Sequence, residues 1–404
     1  MDQRDMDCLP AVLEEQSDKP APGRQHALRR RILGLGLGAV LGFFLGIAMG
    51  ASGLSLLPAG HSFGEFLIFL GGIFILLWLA ILVQTVLHEA GHLVFGLATG
   101  YRFRSFTVGG MILLRENGRL RLRMLSIAGM GGQCLMSPPP DRPPEEMPFV
   151  LYNLGGALMN LLSAVLFGAL VPVTLRIPLL SFFFLAAALV GHVFAALNGI
   201  PMRTEMLDND GKNIATLAQS PAARRALWLQ LAINEQMAHG LRLREMPDAW
   251  FALPDESDWD NYMLVSLAVF RANRLLDAHD IAGAAALVDR LFAAGTAMAG
   301  IYRLLLTCDR IFCALLLDDS ETAGRLLTKQ QRLMMKKMRL NPGILRTEYA
   351  LALLRDKNPQ QAEKTRVLFE TRAAKHPYPC EIESERDLME LAAQRAARRQ
   401  TPCE

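Results

Sequence analysis

The segment from His88 to His92, HEAGH, places two histidines and a glutamate within just over one helical turn. On an α-helix, residues i and i+4 lie on the same face, so the imidazoles of His88 and His92 can reach one metal ion. Glu89 follows on the adjacent face, where it can act as a general base toward an activated water molecule. The spacing therefore predicts the chemistry of metal-assisted peptide hydrolysis.

The surroundings of this segment are unusually apolar. The stretch from Ile81 to Gly100 is apolar enough to cross a membrane, and ionisable groups at that depth cost several kcal/mol unless they are paired, bind a metal or face water. Packing alone gives no reason for three such groups in one turn. We therefore interpret the motif as a metal site rather than as a chance match.

Two histidines do not complete a catalytic zinc site, because such sites usually have three protein ligands and one open position. The acidic candidates, Glu205, Asp208 and Asp210, follow the last apolar stretch. His192 lies within that stretch. It is an alternative ligand or a proton carrier, although a hydrogen-bonded interior histidine is the more common role.

Four apolar stretches are long enough to form membrane helices, at about 32–52, 66–99, 149–175 and 177–202. The chain is 51% hydrophobic and only 20% charged, which also favours a membrane protein. Arginines precede the first stretch and follow the second, so both termini should be cytoplasmic. A net charge of +3 gives no argument for nucleic-acid binding.

The loop at 101–136 has a different periodicity. Leu120 and Leu122 alternate with Arg119, Arg121 and Arg123, and the preceding Asn-Gly pair at 117–118 is typical of a hairpin turn. This pattern predicts a small β-hairpin on the cytoplasmic membrane surface. There it could attract anionic lipid or pair with a substrate strand, or it could simply pack on the spans.

Residues 215–404 have the composition of a soluble helical domain, with a faint repeat of 39 residues. The pattern Leu-x3-(Asp/Asn)-x3-Ala recurs at Leu276, Leu315 and Leu354. Stacked helical hairpins would produce it, which predicts a tetratricopeptide-like domain with a groove for a protein regulator. A plain helical bundle is the alternative.

Three ordered motifs together resemble the site-2 protease family of intramembrane zinc metalloproteases. They are HEAGH, then Gly155 to Asn160 (GGALMN), then Asn198-x-x-Pro201 leading to Asp210-Gly211. The resemblance covers roughly residues 34–214. It implies one zinc ion per chain, held by His88, His92 and Asp210, with Glu89 as the catalytic base.

The sequence departs from this family in two places. Ala157 stands where the family has proline, and inserted residues leave Asp208 as an alternative third ligand. We favour Asp210 because Gly211 permits a close backbone turn. The resemblance assigns Asn160, and less directly Asn198, to binding substrate or orienting the site.

The sequence thus predicts an all-α polytopic membrane protein with about four transmembrane helices, a β-hairpin and a tetratricopeptide-like domain. Its predicted parts are a cytoplasmic tail (1–31), a membrane metalloprotease domain (32–214) and a cytoplasmic helical domain (215–404). The predicted activity is zinc-dependent cleavage of a membrane-protein or peptide substrate in or near its transmembrane segment, in a cell membrane of bacterial type. The alternative is a non-catalytic scaffold that retains a zinc site, and zinc transport is a weaker third reading.

Overall fold

The structure is a computed structural model that describes residues 62–116, 119–124, 132–203, 208–295, 298, 300–374 and 376–400. Within these ranges the protein is mostly helical, with one small antiparallel sheet. The predicted first span at 32–52, the tail at 1–31 and the turn at 117–118 lie outside the described residues.

Three helices of the described chain are long and apolar enough to cross a membrane. They are α1 (Phe63–Ala98), α2 (Val150–Leu170) and α3 (Pro178–Gly199). Ser62 and Glu65 form a capping box that begins α1, and Pro178 occupies the first turn of α3. Many large apolar side chains of these helices are exposed, as expected where lipid surrounds them.

The loop after α1 forms more than the predicted hairpin. It contains four strands, β1 (Arg102–Val108), β2 (Met111–Glu116), β3 (Arg119–Met124) and β4 (Gly132–Ser137), in the spatial order β3-β2-β1-β4. Gly109 and Gly110 both have positive φ and join β1 to β2 by a tight turn. The sequence revealed β2 and β3, but β4 pairs with β1 across a long connection, which no local pattern indicates.

Helix α4 (Asp210–Gln219) follows α3, and the helical half begins with α5 (Pro221–Ala238). It continues with eight more helices: α6 (Tyr262–Asp277), α7 (Ile281–Ala293), α8 (Gly300–Leu316), α9 (Ser320–Leu326), α10 (Lys329–Lys337), α11 (Pro342–Ala350), α12 (Pro359–Ala373) and α13 (Pro379–Gln400). A π-helical turn, Leu351–Arg355, extends α11.

The sequence repeat falls on three helix–turn–helix corners, α6 to α7, α8 to α9 and α11 to α12. At each corner an acidic or amide residue caps the second helix through its side chain; the caps are Asp280, Asp319 and Asn358. The residue before each cap has positive φ; these are His279, Asp318 and Lys357. The corners are therefore alike in backbone as well as in sequence, whereas the tetratricopeptide assignment stays a prediction.

The two halves share a continuous core. Apolar side chains of the sheet and of α5 pack in one cluster that includes Met136 and Leu227. Glu235 of α5 forms ion pairs with Arg102 and Arg104 of β1. The helical half is thus fixed to the sheet at the end of α1.

Candidate metal centre

Helix α1 carries His88 and His92 on one face, as their spacing predicts. Their Nε2 atoms lie 3.2 Å apart, and both side chains are 12% exposed. At a rise of about 1.5 Å per residue, α1 is about 54 Å long, and the histidines lie in its last third. They are therefore close to the end of the membrane-spanning segment where the sheet lies.

Asp210 completes the group from the first turn of α4. Its Oδ2 atom lies 3.3 Å from Nε2 of His88 and 3.5 Å from Nε2 of His92. Burial alone would raise the pKa of Asp210, but its contacts with the two histidines lower the pKa to about 2. The carboxylate is therefore available as an anionic ligand.

Asn209, which the sequence analysis missed, holds this aspartate in place. Its side chain donates to the carbonyls of Leu197 and Ile200 at the end of α3 and accepts from the amides of Met202 and Lys212. These bonds join the start of α4 to the end of α3. Gly211 is needed in the first turn of α4 because a Cβ there would lie 2.3 Å from the Gly199 carbonyl oxygen.

The alternative ligand Asp208 has another partner. Its Oδ1 atom lies 3.3 Å from Nε of Arg203, and the two residues form an isolated β-bridge. In the described chain the group that could hold a metal ion contains His88, His92 and Asp210, and Asp208 is not part of it.

His192 and Asn198 also lie outside this group. Nδ1 of His192 contacts the Ala188 carbonyl at 2.8 Å, and the residue is exposed rather than interior. The Asn198 side chain donates to the Phe194 carbonyl of its own helix. The structure thus gives neither residue a contact with the metal-binding atoms.

The three side chains fit a cation. Nδ1 of His92 lies 2.7 Å from the Tyr152 carbonyl oxygen and Nδ1 of His88 lies 2.7 Å from Oδ1 of Asn160, so each Nδ1 donates and each Nε2 carries a lone pair. Oδ2 of Asp210 is buried without a hydrogen-bond partner. The two Nε2 atoms and Oδ2 of Asp210 are therefore three acceptors that face one another. A single proton can be shared by two of them, whereas a metal ion can bind all three.

Glycines let α2 approach this site closely. A Cβ on Gly156 would lie 2.4 Å from the His88 ring, and a Cβ on Gly91 would lie 2.2 Å from the Gly155 carbonyl oxygen. The close approach that the sequence predicted for the GGALMN segment is present. Asn160 of the same segment is fully buried against His88 and offers no surface to a substrate in this conformation, whereas its role in orienting the site stays a prediction.

Glu89 lies against strand β4 and is only 7% exposed. The Cys134 backbone amide donates to its carboxyl group, and a Cβ on Gly132 would lie 2.6 Å from its Oε1 atom. Tyr152 donates to the Cys134 carbonyl, so the outer edge of β4 is already bonded at this position. No sequence signal pointed to Gly132 or Cys134, because the contact links distant parts of the chain.

Cys134 itself is not a fourth metal ligand. It lies outside the group of described side chains that could hold a metal ion, and burial, together with the nearby Glu89, raises the pKa of its thiol to about 12. The donor set is therefore two imidazole nitrogens and one carboxylate oxygen.

Comparison of the chain with protein-family models, with curated proteins and with solved structures gave no match. The geometry of the site thus carries the functional argument.

Proposed function

We propose that this protein is an intramembrane zinc metalloprotease. It would hydrolyse a peptide bond in or near the transmembrane segment of a membrane-protein substrate, as part of regulated proteolysis. The observation that carries this proposal is the convergence of His88, His92 and Asp210 beside Glu89, at the end of a helix long enough to span a membrane.

The donor set supports zinc as the ion. Two imidazole nitrogens and one carboxylate oxygen are characteristic ligands of catalytic zinc, which keeps a further position for water or substrate. When bound, zinc would supply Lewis-acid activation of water and of the scissile carbonyl group. A scaffold or a structural site gives no reason to retain a carboxylate such as Glu89 next to the ligands.

Glu89 is the proposed general base. Its carboxylate would take a proton from the attacking water and later deliver it to the leaving amine nitrogen. The Cys134 amide and the close backbone at Gly132 hold the carboxyl group at the ligand face of α1. The protein's own contribution is thus to hold a proton acceptor beside the ion without a flexible loop.

The arrangement in the membrane is also part of the proposal. A fourth span at 32–52 and cytoplasmic termini would place the site close to the cytoplasmic face. Leu120 and Leu122 of β3 are 61% and 67% exposed, which supports contact of this hairpin with lipid through its apolar face. Arg123 on the opposite face donates to the His376 carbonyl, so the helical half rather than lipid contacts this arginine.

The helical half would recruit a substrate or a protein regulator through a tetratricopeptide-like surface. The three equivalent corners of α6 to α12 support this assignment. The half also contacts the helix that carries the third ligand, because Tyr262 of α6 donates to the side chain of Asn213 in α4, one turn beyond Asp210. This hydrogen bond supports a link between a partner bound to the helical half and the position of Asp210.

The decisive experiment compares the wild type with Glu89→Gln in membranes of the native host. N-terminal peptides of all membrane proteins would be quantified, and zinc content would be measured on both purified chains. We expect Glu89→Gln to keep zinc, to accumulate transmembrane fragments and to lose their cleaved termini. Identical peptide profiles with zinc retained in both chains would instead favour the non-catalytic scaffold.

A further inference from the structure

A chain of buried amide groups leads from α3 through α1 and α2 to the metal site. Its central members, Gln84 and Asn160, are both 0% exposed. Gln84 lies one turn before His88 on the same face of α1. A polar side chain inside a membrane bundle is costly unless its hydrogen bonds are complete. The partners of these hydrogen bonds therefore indicate why the two amides are buried here.

The donors and acceptors of this chain have a single consistent direction. Nε2 of Gln84 lies 2.8 Å from the Ala187 carbonyl oxygen, which can only accept. The other end of the amide, Oε1, therefore faces α2 and accepts from Nδ2 of Asn160 at 2.7 Å and from the Ser163 hydroxyl at 3.0 Å. The orientation of the Gln84 amide is thus fixed by a backbone group.

The orientation of the Gln84 amide fixes that of the Asn160 amide, which in turn fixes the tautomer of His88. Its Nδ2 atom also donates to the Gln84 backbone carbonyl at 2.9 Å, so both amide hydrogens are used. Its Oδ1 atom must then face His88 and accept from Nδ1 at 2.7 Å. A neutral imidazole that carries its hydrogen on Nδ1 has its lone pair on Nε2, the atom that faces Asp210.

The Gln84 amide fits closely against the backbone of α3. A Cβ on Gly191 of α3 would lie 2.6 Å from Nε2 of Gln84 and 3.0 Å from the Asn160 carbonyl oxygen. Only glycine allows the Gln84 amide to reach the α3 backbone here. This chain of hydrogen bonds from the α3 backbone through Gln84 and Asn160 to His88, called the relay below, therefore involves all three membrane helices of the described chain.

We propose that Gln84 is a positioning residue for the metal site. Together with Asn160 it fixes His88 in the tautomer whose Nε2 can bind the ion, and so raises metal affinity. This inference rests on metal binding as proposed above and does not depend on proteolysis. A purely structural role, in which Gln84 only joins the helices, would affect stability and leave the tautomer and the affinity unchanged.

The first test measures zinc affinity of the purified full-length chain by competition with a chromophoric chelator. Because partners behind a metal ligand typically change affinity by about 10–100-fold, Gln84→Met should weaken zinc binding by about tenfold and Asn160→Leu by up to about 100-fold. Gln84→Glu, which as the neutral acid offers the same acceptor and donor, should restore the wild-type affinity. Asn153→Leu is the matched control, since Asn153 is also buried in α2 but donates only to Phe149.

The second test reads the tautomer directly by 15N nuclear magnetic resonance of histidine-labelled, metal-free protein at a pH where the imidazoles are neutral. The His88 signal is identified by its loss in His88→Asn. We expect Nδ1–H in the wild type and in Asn153→Leu, and a mixture of tautomers in Gln84→Met. If that variant does not fold, Gly191→Ala displaces the same amide and should have the same effect.

The two measurements separate this inference from the proposed function. A chain with Nδ1–H at His88 and a zinc affinity that depends on Gln84, but with identical peptide profiles for the wild type and Glu89→Gln, would support the positioning role of Gln84 and overturn the metalloprotease. Zinc binding in the wild type with an Nε2–H tautomer at His88 would overturn the relay. So would a Gln84→Met variant with unchanged tautomer and unchanged affinity.

Discussion

The membrane helices α1 to α3 and the helical half after Pro221 bury different kinds of polar side chain. In the membrane half the buried polar groups are mainly neutral amides and hydroxyls, such as Gln84 and Asn160, and Asn160 contacts His88. In the helical half they include charged pairs, such as Arg346 with Asp309, that connect one helix to another.

This difference follows from the solvent on each side. A charge in a membrane bundle is expensive, so a neutral amide can be kept there when its hydrogen bonds are complete, and an ionisable group when a ligand or reaction requires it. In the helical half, a buried ion pair can join helices in addition to the apolar core. A buried ionisable side chain therefore points to a ligand or a reaction in the membrane half, whereas in the helical half it can serve to join helices.

The largest expected effect separates the two aspartates that compete for the metal. Asp210→Ala should abolish stoichiometric zinc binding, because it removes one of three ligands and leaves two histidine nitrogens facing each other. Asp208→Ala should keep zinc bound, since Asp208 pairs with Arg203 instead. Zinc content of the purified variants gives the answer, and loss of zinc in Asp208→Ala alone would contradict the structure.

A smaller effect tests how the sheet supports the membrane half. Gly132→Ala should displace the Glu89 carboxyl group and lower cleavage by about 100-fold, because misplacing a reacting group by about 1 Å costs that much. Zinc content should not change. The assay would use a substrate identified from the Glu89→Gln comparison.

Gly72→Ala is the control for this substitution, because nothing lies within 4 Å of the added methyl group. Equal cleavage by the Gly132→Ala variant and the wild type would show that β4 does not position the base.

The smallest effect belongs to the helical half and should be independent of the metal. Asp280→Ala, Asp319→Ala and Asn358→Ala each remove a helix N-cap and should each lower the local free energy of unfolding by about 1 kcal/mol. Hydrogen exchange of α7, α9 and α12 measures this, with the exposed Asp356→Ala as control.

Similar losses at the three corners, with zinc affinity unchanged, would support the equivalence of the repeats. A loss at one corner only would indicate that the 39-residue spacing does not reflect equivalent units.

Much of the local structure was predictable. The apolar lengths gave α1, α2 and α3, and the Asn-Gly pair with alternating leucines gave β2 and β3. The repeated Asp or Asn at the helical corners is a capping residue, which acts within four residues of itself. The order of the four strands was not predictable, because β4 joins β1 through a pairing between distant segments.

The candidate site also has a part that was predictable from the sequence and a part that was not. Sequence alone placed His88, Glu89 and His92 on one turn, because helical periodicity is a local property of the backbone. The same spacing places Gln84 one turn earlier on that face, but Gln84 belongs to no known motif, so the sequence did not assign it a role.

The sequence favoured Asp210 over Asp208, but only the tertiary structure brought Asp210 to the two histidines, set Glu89 against Gly132, and gave each histidine its hydrogen-bond partner. Those contacts join segments far apart in sequence, and metal-binding geometry depends on where such segments meet. A local pattern of residues specifies helices and turns, whereas the positions of three ligand atoms within 4.8 Å of one another depend on how the helices pack.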